Sequence, residues 1–276
     1  MKNLSFFLSV IILGLLLNSC DQKEKQVEAE ESEEIVQESI DNNSFLEDYP
    51  NAKKMTEIDD RVDPEKRVES LYWEKQAKNG SEFTQVVAYL NDDGLPMKIT
   101  EYYVDGNFQP QGQRHYYLEE NKLIAFVEQS DYWVDSLTTN YSEKRTVYND
   151  TEPVVSQSRH AQSYDQIEDV KWKNIRQEHH SLNKVNKILA GVEEFQPHFI
   201  SVIQTDQLFL LLGEAKPKTE VRYTTAVRVD KMTPFIEDLL NNLDKYKFRP
   251  VNIAFEVVGG NSSPEYRVLT NIAWKK

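Results

Sequence analysis

Chemistry in this 276-residue chain would have to run through five histidines, one cysteine and a surplus of carboxylates. His179-His180 is the one close histidine pair. Adjacent residues on a helix project about 100° apart, so the pair is poorly placed to grip one metal ion. One turn back stand Ile175 and Arg176, and one turn on stand Asn183 and Lys184, so no second histidine completes a helical site. A solvated surface pair is expected. His115, His160 and His198 are scattered. Asn91-Asp92-Asp93-Gly94 offers two carboxylates and lacks the closing glutamate of a calcium loop, so it reads as a turn. No serine sits in a Gly-x-Ser-x-Gly elbow, and no glycine-rich loop could cradle a phosphate. No catalytic, metal-ligating or cofactor-binding residue is assigned, no cofactor is expected, and an enzymatic role has nothing positive behind it.

The cysteine is different. Cys20 is the sole one, so no disulfide, no cysteine-containing zinc site and no thiol nucleophile can exist beyond it. It follows a positive Lys2 and an apolar run from Leu4 to Leu17. That run suits a secretory signal and falls short of the roughly 18–20 residues a spanning helix needs. The run ends in Leu17-Asn18-Ser19-Cys20, which resembles the lipobox of bacterial lipoproteins, with Asn18 departing from the usual small or apolar residue. The resemblance implies diacylglycerol on the Cys20 thiol, cleavage after Ser19, acylation of the new amine, and a membrane as partner through that anchor. Two or more acyl chains make such binding durable. An exported protein, held at a bacterial membrane and most naturally the outer one, is expected.

Residues 21–50 carry eleven acids against Lys23 and Lys25, so most of the net charge of −14 lies in this stretch. Gln22 to Ser44 has too little apolar surface to fold alone and reads as a self-repelling tether. Charged residues just after the cysteine also resemble those of Bacteroidetes lipoproteins, and Asp21-Gln22-Lys23-Glu24-Lys25 matches loosely. Asp135-Ser136-Leu137 resembles the O-glycosylation tripeptide of the same group, on Ser136. The acidic balance argues against a nucleic-acid partner.

Aromatic residues supply the remaining binding chemistry. Tyr72-Trp73, Tyr102-Tyr103, Tyr116-Tyr117 and Tyr132-Trp133 are adjacent pairs in segments of strand character, so each pair puts one ring on either face of a sheet. Two readings follow: a sheet covered on both sides, or a curved sheet whose aromatic face receives a lipid, glycan or peptide.

The elements that position these rings read as an antiparallel meander over 51–160. Arg67–Gln76, Glu82–Leu90, Pro96–Val104, Arg114–Glu119 and Leu123–Gln129 are strands, with Tyr132–Ser136, Tyr141–Tyr148 and Pro153–Arg159 continuing them. Lys78-Asn79-Gly80, Asn91–Gly94 and Asp105-Gly106 supply turns. Tyr89–Ile99 and Tyr117–Ile124 share a tyrosine–turn–aliphatic pattern that resembles YD-type and MORN-like hairpin repeats over a small part of the chain. Within a connector over 161–204, Asp165 to Leu189 has apolar residues near a helical period, predicting a helix ended by Gly191.

Over 205–276 the reading is a small α+β unit. Leu208–Leu212 and Arg222–Val229 are strands, and Thr233 caps a helix opened by Pro234 and striped by Phe235, Ile236, Leu239, Leu240, Leu243 and Tyr246. Val251–Val257 and Tyr266–Trp274 alternate as the last two strands. The expected fold is α+β and mostly β. The expected function is a non-enzymatic envelope binding or assembly module with a protein, glycan or lipid partner. A structural accessory subunit of an envelope complex and an envelope-polymer hydrolase stand as alternatives.

Overall fold

In the computed structural model, the described residues are 45 and 47–275, apart from 78–79, 107–110, 135–137, 217–221 and 261–262. The signal segment, Cys20, most of the acidic tether and Ser136 lie outside them. Among the described residues the fold is mostly β: a long, almost wholly antiparallel sheet with helices after the meander and a two-stranded hairpin at the carboxyl end.

Helix α1 (Pro50–Arg61) opens on a proline, whose fixed φ suits the first helical turn, and buries Ala52 and Ile58. The meander follows as β1 (Arg67–Glu69), β2 (Trp73–Ala77), β3 (Gly80–Leu90), β4 (Pro96–Asp105), β5 (Gln111–Glu119), β6 (Lys122–Trp133), β7 (Thr139–Asn149) and β8 (Glu152–Ala161). The first predicted strand is broken in two. Ser70 Oγ accepts from Val86 N at 2.9 Å, satisfying the ladder from a side chain where the chain leaves β3 between β1 and β2. The two segments predicted around Phe126 and Tyr132 are one strand, β6. Asn91 Oδ1 accepts from the amides of Asp93 and Leu95 at 3.0 and 2.9 Å, and Gly94 takes φ +76°. The sequence Asn91–Gly94 is therefore built as a side-chain-capped turn.

The connector departs from the predicted helix. Its residues form a 3-10 turn (Tyr164–Asp169), strand β9 (Lys173–Ile175) and a short helix α2 (Asn183–Ala190) closed by Gly191 at φ +57°. The apolar residues that mimic a helical period have separate destinations. Trp172 lies against the guanidinium groups of Arg145 and Arg159, β9 pairs with β8, and Val185, Ile188 and Leu189 serve the face of the short helix. Burial against different neighbours overrides the periodicity.

Strands β10 (His198–Gln204), β11 (Leu208–Gly213) and β12 (Tyr223–Val229) then join the meander itself. β12 pairs with β2 through Tyr223–Lys75 and Thr224–Glu74, so one sheet runs in the order β10-β11-β12-β2-β3-β4-β5-β6-β7-β8-β9. Thr233 Oγ1 accepts from Ile236 N and caps α3 (Pro234–Asn241); Asn242 breaks the helical stripe before α4 (Leu243–Tyr246). Strands β13 (Val251–Gly260) and β14 (Ser263–Trp274) form the terminal hairpin, and β14 meets β12 in parallel at Arg228–Val268.

The sheet has two differently covered faces. On one, Trp73, Val86, Ala88, Ile99, Tyr116 and Phe126 pack with α2 and α3 through Val185, Ile188, Ile236 and Leu239, forming the main core. On the other, α1 covers the middle strands: Ile58 packs with Tyr117, Ile124 and Ala125, and Ala52 with Phe45, Val147 and Val155. Phe45 is fully buried, with the Arg145 guanidinium held between its ring at 3.5 Å and that of Trp172 at 4.1 Å.

Candidate functional site: a cleft between the sheet and the terminal hairpin

Three of the predicted aromatic pairs have described side chains, and each splits between the faces as strand geometry requires. Trp73, Tyr103 and Tyr116 point to the core face and are buried. Trp73 packs edge-on against Phe195, Tyr103 donates to Glu128 Oε1 at 2.7 Å, and Tyr116 meets Phe126. Tyr117 points to the other face and is buried beneath α1, donating to Asp59 at 3.0 Å under Lys98. These four rings are buried in the packing on the two faces of the sheet. The side chains of Tyr132 and Trp133 lie outside the described residues.

Tyr72 and Tyr102 differ because α1 does not reach them. Along β10, β11, β12 and β2 a cleft of about 630 Å³ opens on the second face, walled in part by Glu265, Tyr266 and Arg267 of the terminal hairpin. Its floor is largely apolar, with Thr224 and Thr225 of β12 beside the apolar residues. Ile203 of β10 stands opposite Phe209 of β11, and Leu211 of β11 stands opposite Ala226 of β12. Its rim carries Tyr72 and Tyr266, and the polar end carries Glu74, Gln85, Glu265 and Arg267. A second hollow of about 380 Å³ continues it towards Phe83 and Tyr102, with Gln85 and Glu265 common to both. Ile203 is 44% exposed, Tyr72 38% and Tyr266 37%, so large apolar groups lie open to water along one line. Isolated exposed apolar residues are ordinary; a contiguous set inside a concavity marks a binding surface.

The polar end is built around Arg267, which is only 6% exposed. Its Nε and Nη2 are buried with no hydrogen-bond partner, and the nearest carboxylate oxygen to Nη1, from Glu265, is 4.0 Å away. The Tyr72 ring, itself stacked on Phe83 at 4.5 Å, lies 5.8 Å from the guanidinium carbon. Burial presses the pKa of Arg267 down, and the charges of Glu69 and Glu265 press it up. Nearby Arg228 is committed elsewhere, in a two-pronged pair with Asp230 at 2.7 and 2.8 Å.

A second charged cluster lies on the core face. Glu101 accepts from Lys184 at 2.7 Å, from Thr84 at 3.1 Å and from Arg114 at 3.4 Å. Burial raises its pKa, and the charges and hydrogen bonds of Lys184 and Arg114 bring it to a net value below the usual carboxylate range. Arg114 also bonds Glu128 at 2.7 Å and covers the Tyr103 ring at 3.7 Å. Every group there is satisfied by another protein group, so the cluster works as a lock between α2 and the sheet.

His179 and His180 sit in an irregular segment rather than a helix, and they are not alike. His179 is exposed, as expected for both. His180 stacks on Phe126 with centroids 3.6 Å apart, and burial pushes its pKa down to about 4. The expectation of two solvated histidines is therefore corrected at His180: leaving the helix lets its ring turn inward over β6. No group of three or more potential metal ligands occurs among the described residues, and no helix there is long and apolar enough to cross a membrane.

Arg267 had no distinguishing signal in the sequence. The alternation expected over Tyr266–Trp274 is interrupted, because a register shift between Ala254 and Phe255 leaves Thr270 exposed. Two neighbours, Arg267 and Val268, are buried together at that irregular stretch. No protein-family model, curated protein or solved structure matches the chain, so its function is read from this geometry.

Proposed function

We propose that the chain is a lipid-anchored binding protein of a bacterial envelope, held by acyl chains on Cys20 and presenting the cleft beside its terminal hairpin to a ligand. The cleft carries this reading: a water-open, largely apolar floor on one sheet face, beside a buried cation that lacks a close protein partner. Apolar surface beside a cation is suited to holding a ligand, so binding is the activity we assign to it. The acidic tether suits this role. It spaces the body from the membrane and meets the fold at Phe45, which is buried against Arg145.

Two measurements test the reading. Radioactive fatty acid fed to cells is expected to label the wild-type chain and not a Cys20→Ser variant. Native mass spectrometry of the protein purified from its own envelope is expected to show retained molecules that an Ile203→Asp variant loses. Label persisting on Cys20→Ser removes the anchor; equal retention by both chains removes the cleft.

A further inference from the structure

Resting on the cleft as a binding site, we propose that its ligand is a single-chain amphiphile with an anionic head. The alkyl chain lies on Ile203, Phe209, Leu211 and Ala226, and the head reaches Arg267.

The floor sets the chain. Phe209 and Leu211 are two residues apart on one strand; Ile203 beside Phe209 and Ala226 beside Leu211 extend the apolar surface to three adjacent strands, while Arg228 and Ser201, their partners on the other sides, bound it. Neighbouring strands lie about 4.8 Å apart, so this is a strip roughly 10 Å across. Burying such a surface under methylene groups gains about 25 cal/mol for each Å² removed from water. A sugar needs hydrogen-bonding groups across its whole face; the lining offers them at Thr224, Thr225, Glu74, Gln85 and Glu265 but not along Ile203–Phe209 and Leu211–Ala226.

Arg267 sets the head. A guanidinium removed from water and left without a close acceptor is costly, and an anionic oxygen reaching Arg267 from the cleft it lines offsets that cost with a charge-assisted hydrogen bond. Glu265 competes for this cation from 4.0 Å, but its side chain is half-exposed and screened by water. Glu74 already accepts from Gln76 at 2.9 Å. The competing carboxylates make a specific prediction: removing Glu265 strengthens an anionic ligand rather than weakening it.

Isothermal titration calorimetry below the critical micelle concentration tests this. The chain used begins at Asp21, which keeps the whole sheet and every described residue. The probes are dodecanoate, dodecyl phosphate, dodecyl maltoside and inorganic phosphate. Dodecanoate or dodecyl phosphate is expected to bind at least about tenfold more tightly than the maltoside, and inorganic phosphate alone not at all. Arg267→Gln is expected to abolish the preference while keeping alkyl binding, Ile203→Asp to weaken every alkyl probe, and Glu265→Gln to tighten the anionic probes two- to fivefold. Equal binding of maltoside and dodecanoate overturns the anionic head and leaves the cleft as a binder. Inorganic phosphate as tight as dodecyl phosphate overturns the chain. No binding by any alkyl probe overturns the proposal; retention of an envelope molecule by the cleft would then still support the broader reading. Should Arg267→Gln fail to fold, the Glu265→Gln arm decides, with unchanged or weaker anionic binding counting against the head.

Discussion

Lys184, in the first turn of α2, places its ammonium 2.7 Å from Glu101 of β4, a carboxylate whose side chain is 1% exposed. The contact joins positions 83 residues apart and holds the short helix onto a sheet that its own length could not stabilise. Lys184→Met is expected to cost about 1–2 kcal/mol, since Thr84 and Arg114 still serve Glu101 and the lysine is partly exposed. A two-state urea series would measure it; a loss near zero would mean that α2 is held by Val185 and Ile188 alone. Because the folded pKa of Glu101 is depressed, its contribution is present above the ordinary glutamate value and fades as pH falls through the lower folded one.

His180 and His115 each have a folded pKa pushed down to about 4 by burial, against 6.5 in an unfolded chain. Between those values the unfolded state binds more protons, so stability rises with pH from about 4 to 6.5 and is full above that window. Lowering the pH from 7 to 5 should cost on the order of 1–2 kcal/mol for each histidine. His180→Phe keeps an aromatic stack on Phe126 and should lessen the difference between urea midpoints at the two pH values. An unchanged difference would show that His180 titrates normally.

Gly112 of β5 passes so close to β6 that a Cβ there would lie 2.0 Å from the carbonyl oxygen of Gln129. Backbone cannot yield as a side-chain tip can, so Gly112→Ala is expected to destabilise by about 3 kcal/mol or more. A thermal midpoint within a degree or two of wild type would contradict the close approach.

Thr233→Ala removes the hydroxyl that accepts from Ile236 N at the start of α3. The expected loss is about 1 kcal/mol in the same urea assay. Thr233→Asn, which can accept the same bond, should recover most of it; failure to recover would assign the loss to packing around Pro234 instead.

The parts of the fold legible in the sequence are those fixed by local chemistry. Asn91 and Gly94 made a turn because an amide side chain and a positive φ suffice. Thr233 and Pro234 made a helix start for similar reasons. The connector was misread because Ile167, Val170, Trp172 and Ile175 are apolar near a helical period while the burial of Trp172 comes from distant Arg145 and Arg159. β10 was missed because His198–Gln204 is short and only partly alternating. The aromatic pairs told correctly that rings occupy both faces. Which rings stay open depends on where α1 stops covering the sheet, and that is decided by Ile58 and Ala52 meeting strands about 65 to 100 positions away. Arg267 was invisible for the same reason, since its missing acceptors appear only once β14 has been laid beside β12.

Methyl-resolved NMR on the chain beginning at Asp21, titrated with dodecanoate, tests the cleft most directly. Saturable shifts are expected at Ile203 and Leu211, which line the floor, and none at Ile58 or Ile188, which lie on α1 and α2. Shifts centred on Ile58 or Ile188, or no saturable shift at Ile203 and Leu211, would contradict a ligand site beside the terminal hairpin.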